Sequence, residues 1–416
     1  MAVQARQSNW RTYVGICCTV LAVVTFAAAA TRLWVLTAIP IGFLFGFFLQ
    51  KGDLCGASAF SEVLLMKDWR KIWGLWVCIV TGMVGFAALD LLGWVKLNPK
   101  PLLWANYVVG GILFGIGMVL AGGCISGCLF KSGTGNLNSM VGLLGIALGV
   151  SFVEHGPLLP VHAYLKKHVI KAGDGGAITF SSLTGLPFWA ITLILAGGTL
   201  IVGLLLRQKA RAQRVGSPEP FSLKRKILAR TWRPWQAGLM IGLLGSAAYL
   251  SSAAATGRNY PLGVTHGVMH VELLITDRNL VHDYRKPPTP LPEIAKAAAS
   301  KNSQTNPVQP AAAHPTGKKV SWWLIALVTS LVAGSWVSGR LSGEARLLPK
   351  PPEQTVIAFF GGLLVGAGAA FATGCVVGNI MSGWALMSVG MVLFGVVTVL
   401  ANWAATYVYL MGGGVG

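Results

Sequence analysis

Two apolar, glycine-rich segments of this chain are interrupted in the same way. Gly122-Gly123-Cys124-Ile125-Ser126-Gly127-Cys128 breaks the first, and Gly374-Cys375-Val376-Val377-Gly378-Asn379 breaks the second, 251 positions on. The likeness runs backwards without a gap, from Gly110-Gly111-Ile112-Leu113-Phe114-Gly115-Ile116-Gly117 to Gly361-Gly362-Leu363-Leu364-Val365-Gly366-Ala367-Gly368. Glycine alone lets apolar helices pack closely. It does not explain a cysteine at the same place in both segments. Paired broken segments of this kind mark the binding site of an internally repeated transporter.

The composition fixes the medium. Hydrophobic residues make up 54% of the chain and charged residues 11%. Several apolar runs reach the ~20 residues that cross a bilayer core as helix. Only helices satisfy their own backbone there, unless a barrel closes. The expected fold is therefore all-α and polytopic. It is a pseudo-symmetric, inverted repeat whose broken or re-entrant helices meet at a central constriction. The net charge of +20 raises nucleic acid as a partner. The basic residues sit in short connections between apolar runs, which points to the membrane surface instead. Seven cysteines, mostly inside apolar runs, argue against a disulfide framework, and no spacing suggests a metal site.

The first repeat is expected over 1–206. It opens with an uncleaved span at Tyr13–Ala30, where Cys17 and Cys18 are read as packing residues. A run over Trp34–Leu49, with Pro40 in it, leads to Gly52-Asp53-Leu54-Cys55-Gly56. That turn reads as another broken helix, which makes Cys55 a third candidate thiol. Cys78 lies within the next span and is read as structural. A polar connection follows Glu154 as far as Ser182. Residues 207–233 hold nine Lys or Arg against Glu219 alone, the mark of a cytoplasmic connection. The second repeat is expected over 234–416. Thr265 and His266 are the polar candidates where a counterpart of Cys55 should fall. A Pro- and Ala-rich insertion at about 277–319 reads as extended chain. No charged residue follows Glu353, so the second break is expected to work without a side-chain charge.

These motifs resemble the YeeE/YedE family of bacterial inner-membrane proteins. The residues that carry the resemblance are Ala121-Gly122-Gly123-Cys124 with Gly127, then Lys131-Ser132-Gly133-Thr134-Gly135-Asn136. Thr373-Gly374-Cys375-Val376-Val377-Gly378-Asn379 is the second mark. The resemblance implies uptake of a sulfur compound, thiosulfate first, past a pinched centre lined by cysteine thiols. By motif that role falls on Cys124 and Cys375, with Cys55 beside them. Gly123, Ser126, Gly127, Lys131, Gly374, Gly378 and Asn379 complete the expected pathway. The resemblance also implies a small TusA-like sulfur carrier on the cytoplasmic side, and a related branch is associated with selenium. Two positions depart from the pattern. Thr134 stands where relatives carry Glu, and a cysteine expected early in the second half is missing.

The chemistry agrees with this expectation. Burying a dianion is costly unless donors replace its water. Backbone N–H groups at a helix N-terminus are such donors. A thiol is a soft, weak donor suited to a terminal sulfur, and weak binding lets the ion leave again. The competing reading is a membrane thiol oxidoreductase that pairs Cys124 with Cys128. It has no counterpart in the second half, where Asn379 stands. No cofactor, nucleotide-binding loop or catalytic residue is expected.

Overall fold

The computed structural model describes residues 10–31, 33–172, 176–212, 232–255, 259–277, 279–283, 318–347 and 351–412. The centre of the basic connection, 213–231, and most of the insertion, 284–317, lie outside the described residues.

Helix α1 (Trp10–Thr31) is followed by α2 (Ala38–Gly52), α3 (Gly56–Met66), α4 (Arg70–Leu91) and α5 (Trp104–Leu120). Pro40 falls in the first turn of α2, where a missing N–H is harmless. Then come α6 (Ile125–Gly133), α7 (Leu137–Glu154), α8 (Leu159–Lys166), α9 (Phe180–Thr184) and α10 (Phe188–Ala212). After the basic connection the chain forms α11 (Pro234–Ala255) and α12 (Thr265–Thr276). Next are α13 (Trp322–Ser342), α14 (Pro352–Phe371), a π-helical turn over Val376–Ser382, and α15 (Val389–Thr406). Among the described residues, nine helical segments are long and apolar enough to cross a membrane. The protein is an all-α, multi-pass membrane protein.

Three expectations change. The connection after Glu154 is not plain coil but carries α8 and α9; α8 has Pro160 in its first turn and buries His162, so its inward face is a single residue. The edges of the insertion form a two-stranded parallel ribbon, Leu280–Asp283 (β1) with Lys318–Ser321 (β2). Cys18 is exposed on α1 rather than packed.

The packing is reciprocal. α14 lies against α7 and α5, and α15 against α5; α13 lies against α2, and α11 against α4. Matching α2 with α11, α4 with α13, α5 with α14 and α7 with α15 turns each of these contacts into another of the set or into itself. α5 and α14 cross antiparallel. A Cβ on Gly117 would lie 2.6 Å from Val365 N, and one on Gly368 would lie 2.5 Å from Phe114 N. Backbones this close need glycine on both helices. α10 packs along α4 and turns Leu193, Ile194, Leu200 and Ile201 outward, as a lipid-facing helix does.

Candidate substrate pathway

Each of the three candidate cysteines begins a short helical segment. Cys55 is the N-cap of α3, Cys124 of α6 and Cys375 of the π-helical turn, all in extended backbone. None of the three thiols caps its own helix by a side-chain hydrogen bond. In each case the residue two positions earlier is left-handed: Asp53 at φ 43, Gly122 at φ 66 and Thr373 at φ 57. A helix ends on a left-handed residue, two residues pass, and a new helix starts with its N–H groups unspent. Only Gly122 adopts this conformation freely. Thr373 is β-branched, and its strain is of the order of 1–3 kcal/mol, held by its surroundings.

The breaks come together. Cys55 Sγ lies 3.7 Å from Cys124 Sγ, and Cys124 Sγ lies 3.3 Å from Ser126 Oγ. A Cβ on Gly127 would stand 2.3 Å from Cys55 Sγ, so glycine there makes room for the thiol. Gly56, next to Cys55, faces the Val376 side chain beside Cys375. Cys55, Cys124, Cys375 and Ser126 are all buried. Cys128 does something else: its thiol points at Gly123 O, 3.8 Å away. Its counterpart Asn379 donates through Nδ2 to Gly374 O at 3.0 Å and to Ala372 O at 2.9 Å. Both side chains thus brace equivalent carbonyls, Gly123 and Gly374, of the two breaks. Gly378 differs from Gly127, since its nearest neighbour, Leu262 O, is 3.9 Å from an added Cβ.

In the second half, Val264 is the N-cap of α12, in the place that Cys55 holds for α3. Thr265 follows it, buried, and its hydroxyl has no hydrogen-bond partner among the described residues. His266 Nε2 lies 2.9 Å from Glu154 Oε1 on α7.

Lys131 donates to Gly122 O at 2.7 Å. The expectation that the second break lacks a charge is wrong. Lys100, from the connection before α5, reaches it and donates to Thr373 O at 2.5 Å and Thr373 Oγ1 at 3.2 Å. It also donates to Asn379 Oδ1 at 3.0 Å. Its ammonium sits 4.9 Å from the centre of the Tyr260 ring, and Tyr260 donates to Gly378 O at 2.6 Å. Nothing in the sequence links Lys100 to a break 273 residues away. A third lysine, Lys71, holds Asp53 Oδ2 and Glu62 Oε1, each at 2.6 Å, across the Cys55 break.

The comparisons with known proteins bear on what passes such a site. The family described as sulphur transport matches residues 51–404. The thiosulfate transporter TsuA of Spirochaeta thermophila is 26% identical over 385 residues, covering 89% of this chain and 98% of its own. The protein of the same name in Escherichia coli K12 is 25% identical over 379 residues, covering 90% and 94%. A probable transporter, YedE of Escherichia coli K12, is 30% identical over 121 residues, 28% of this chain and 29% of its own.

Proposed function

Because the chain belongs to the sulphur-transport family, and is thus a membrane transporter rather than an enzyme, we propose that its substrate is thiosulfate. The anion passes through the centre of the molecule along Cys55, Cys124 and Cys375. The observation that carries this reading is that three buried thiols each stand at the start of a short helical segment without capping it. The unspent N–H groups and the positive ends of these segments take the three oxygens. The thiols donate weakly to the terminal sulfur. The 3.7 Å between Cys55 and Cys124 lets one thiol hand the sulfur to the next without a bond being made. Gly127 keeps that approach open. Ser126, Gly123 and Gly374 shape the breaks, while Cys128 and Asn379 brace them. Thr265, whose hydroxyl has no hydrogen-bond partner among the described residues, is the donor standing in for a fourth thiol, and Gly378 leaves room near Leu262 and Gly263. Lys131 supplies charge at the first break.

The repeat reading, with halves over 1–206 and 234–416 in inverted orientation, is supported by the reciprocal packing and by the antiparallel crossing of α5 and α14. The basic stretch at 207–233 then marks the cytoplasmic side of the bacterial inner membrane. There a small TusA-like carrier would take up the delivered sulfur.

The thiol oxidoreductase reading is weaker. It needs Cys124 and Cys128 as partners, whereas Cys124 is approached by Cys55 and Cys128 turns to a carbonyl. The test is growth of a strain lacking its own thiosulfate importers, with thiosulfate as sole sulfur source. Expression should restore growth. Rescue on sulfate or on a selenium species, with none on thiosulfate, would overturn the substrate assignment.

A further inference from the structure

The sequence marks two polar residues at the start of α12, and the proposed pathway uses only Thr265. His266, next to it, meets Glu154 at the end of α7, with 2.9 Å between Nε2 and Oε1. Glu154 is the one charged residue of that apolar helix. An ionisable side chain on a membrane span marks a functional site by default.

The pair adjoins the second break. The chain leading into α12 lies on the segment that Cys375 caps: Ser382 Oγ donates to Leu262 O at 3.0 Å, and a Cβ on Gly378 would stand 4.0 Å from Gly263 Cα. Val264 then caps α12, and Thr265 and His266 are its first two residues. The pair also reaches water. Glu154 ends its span, His155 beyond it is exposed, and the two side chains are 19% and 34% exposed. The side can be assigned. Gly74, early in α4, packs against Pro234, where the basic connection ends. α4 runs 22 residues, about 33 Å of helix, before the chain turns back into α5. His162, on the helix that follows α7, meets Asn106 at the start of α5. With the basic connection cytoplasmic, as proposed, Glu154 and His266 lie towards the outer side.

A proton on this pair changes what an anion meets. At 2.9 Å, Nε2 donates to the carboxylate whichever charge the ring carries, so the proton that comes and goes belongs to Nδ1. With that proton the pair is neutral. Without it, one negative charge stands beside the route of a dianion. The other ionisable groups here come from each element packed around the pair. α7 is followed by His155, and α8 brings His162 and Lys166. α12 itself carries His270, whose ring is 6.5 Å from that of His266, and Glu272, held by Ser151 Oγ at 2.7 Å. At its far end Asp277 pairs with Lys318 of β2 at 2.7 Å. α13 and α14 carry Arg340 in a last turn and Glu353 in a first turn, and α6 carries Lys131 at the opposite end of α7.

From this geometry we infer that Glu154 and His266 form the proton-binding site of a symport, in which a proton enters with the anion. The inference rests on the proposed transport of thiosulfate. Moving a dianion inward against an inside-negative potential is uphill, and each accompanying proton removes one charge from the load. Linkage is reciprocal: the proton raises the affinity for the anion, and the anion raises that for the proton by the same factor. The proton passes from the outer solution to Nδ1 and is given up on the cytoplasmic side as the anion leaves; no other bond changes.

The test uses vesicles holding the full-length protein, with the membrane potential clamped by potassium and valinomycin. An inward proton gradient is imposed, and labelled thiosulfate and outer pH are followed together. The parent should accumulate label above equilibrium while the outer solution turns alkaline. Its KM should fall as the outer solution is acidified, by at most about tenfold per pH unit, the limit for one linked proton. Glu154→Gln and His266→Gln should lose the accumulation, the alkalinisation and the pH dependence of KM, yet still exchange labelled for unlabelled thiosulfate at equal concentrations. If the parent only equilibrates the label and ignores the gradient, there is no symport and the inference is wrong, while the substrate assignment stands. If both variants still accumulate label, the proton is carried elsewhere and this site is wrong. If both lose exchange as well, the pair is a structural contact and the site is again wrong. If the parent moves no label under any condition, the substrate assignment itself fails and takes this inference with it.

Discussion

Cys124 and Cys128 are one helical turn apart and look alike in the sequence, yet they act on different things. Cys124 faces Cys55, while Cys128 faces Gly123 O. Replacing Cys124 or Cys375 by Ala is expected to abolish uptake with insertion intact, because little volume is lost; Ser rescues poorly, being less polarisable than a thiol. Cys128→Ala should keep substantial uptake. Normalised uptake across the series checks this, and full uptake in a Cys124→Ala, Cys375→Ala double variant would end the thiol pathway. The glycines separate in the same way. Gly127→Ala puts a methyl 2.3 Å from Cys55 Sγ and should cost about 1–3 kcal/mol or close the pathway. Gly378→Ala meets nothing nearer than 3.9 Å and should be mild. Cys124 and Cys375 stood out as candidates because each sits beside glycine in an apolar run, and Cys55 because it lies in a Gly-Asp turn that ends one. Lys100 was not, because its partner lies in the other half of the chain and a sequence carries no record of such distances.

At the scale of the element, the broken helices could be read from Gly-Cys inside apolar runs, but their length could not. α6 runs on to Gly133, although Lys131-Ser132-Gly133 reads as a polar exit. α8 was missed because its lone buried residue, His162, gives no periodic signal. His162 Nδ1 accepts from Asn106 Nδ2 at 3.1 Å, and the same amide nitrogen donates to Phe371 O at 3.0 Å, just before the second break. An amide N–H facing the ring requires the unprotonated nitrogen. Burial, with Lys166 adding to it, pushes the imidazole down to about 4. The unfolded chain binds this proton near 6.5 and the folded one only near 4. Stability from His162 is therefore complete above pH 6.5 and is lost as the pH falls towards 4. The melting midpoint of purified protein should decline across that window. His162→Gln, which cannot charge, should flatten the decline, and an unchanged slope would show that other groups set it.

For the whole molecule, the all-α membrane class followed from composition, and the 251-residue echo is the basis on which two halves are proposed. The way they interlock did not. It depends on backbone approaches such as that of Gly117 to Val365, which a pattern of apolar residues does not order. The antiparallel crossing of α5 and α14 carries a kinetic consequence. With the halves inverted as proposed, the scaffold looks much the same from either side and gives no preferred sense of flow. Rectification must then come from what the halves do not share: Cys55 against Val264, and Lys131 at one break against Lys100 at the other. Without an energy input, microscopic reversibility requires the same pathway to work as an exit. Vesicles preloaded with labelled thiosulfate and diluted into anion-free buffer should therefore empty through this protein. The half-saturation for efflux should differ from that for uptake, because the two breaks are not chemically alike. Retention of the label, in a preparation that still imports, would mean that import draws on a coupled driving force.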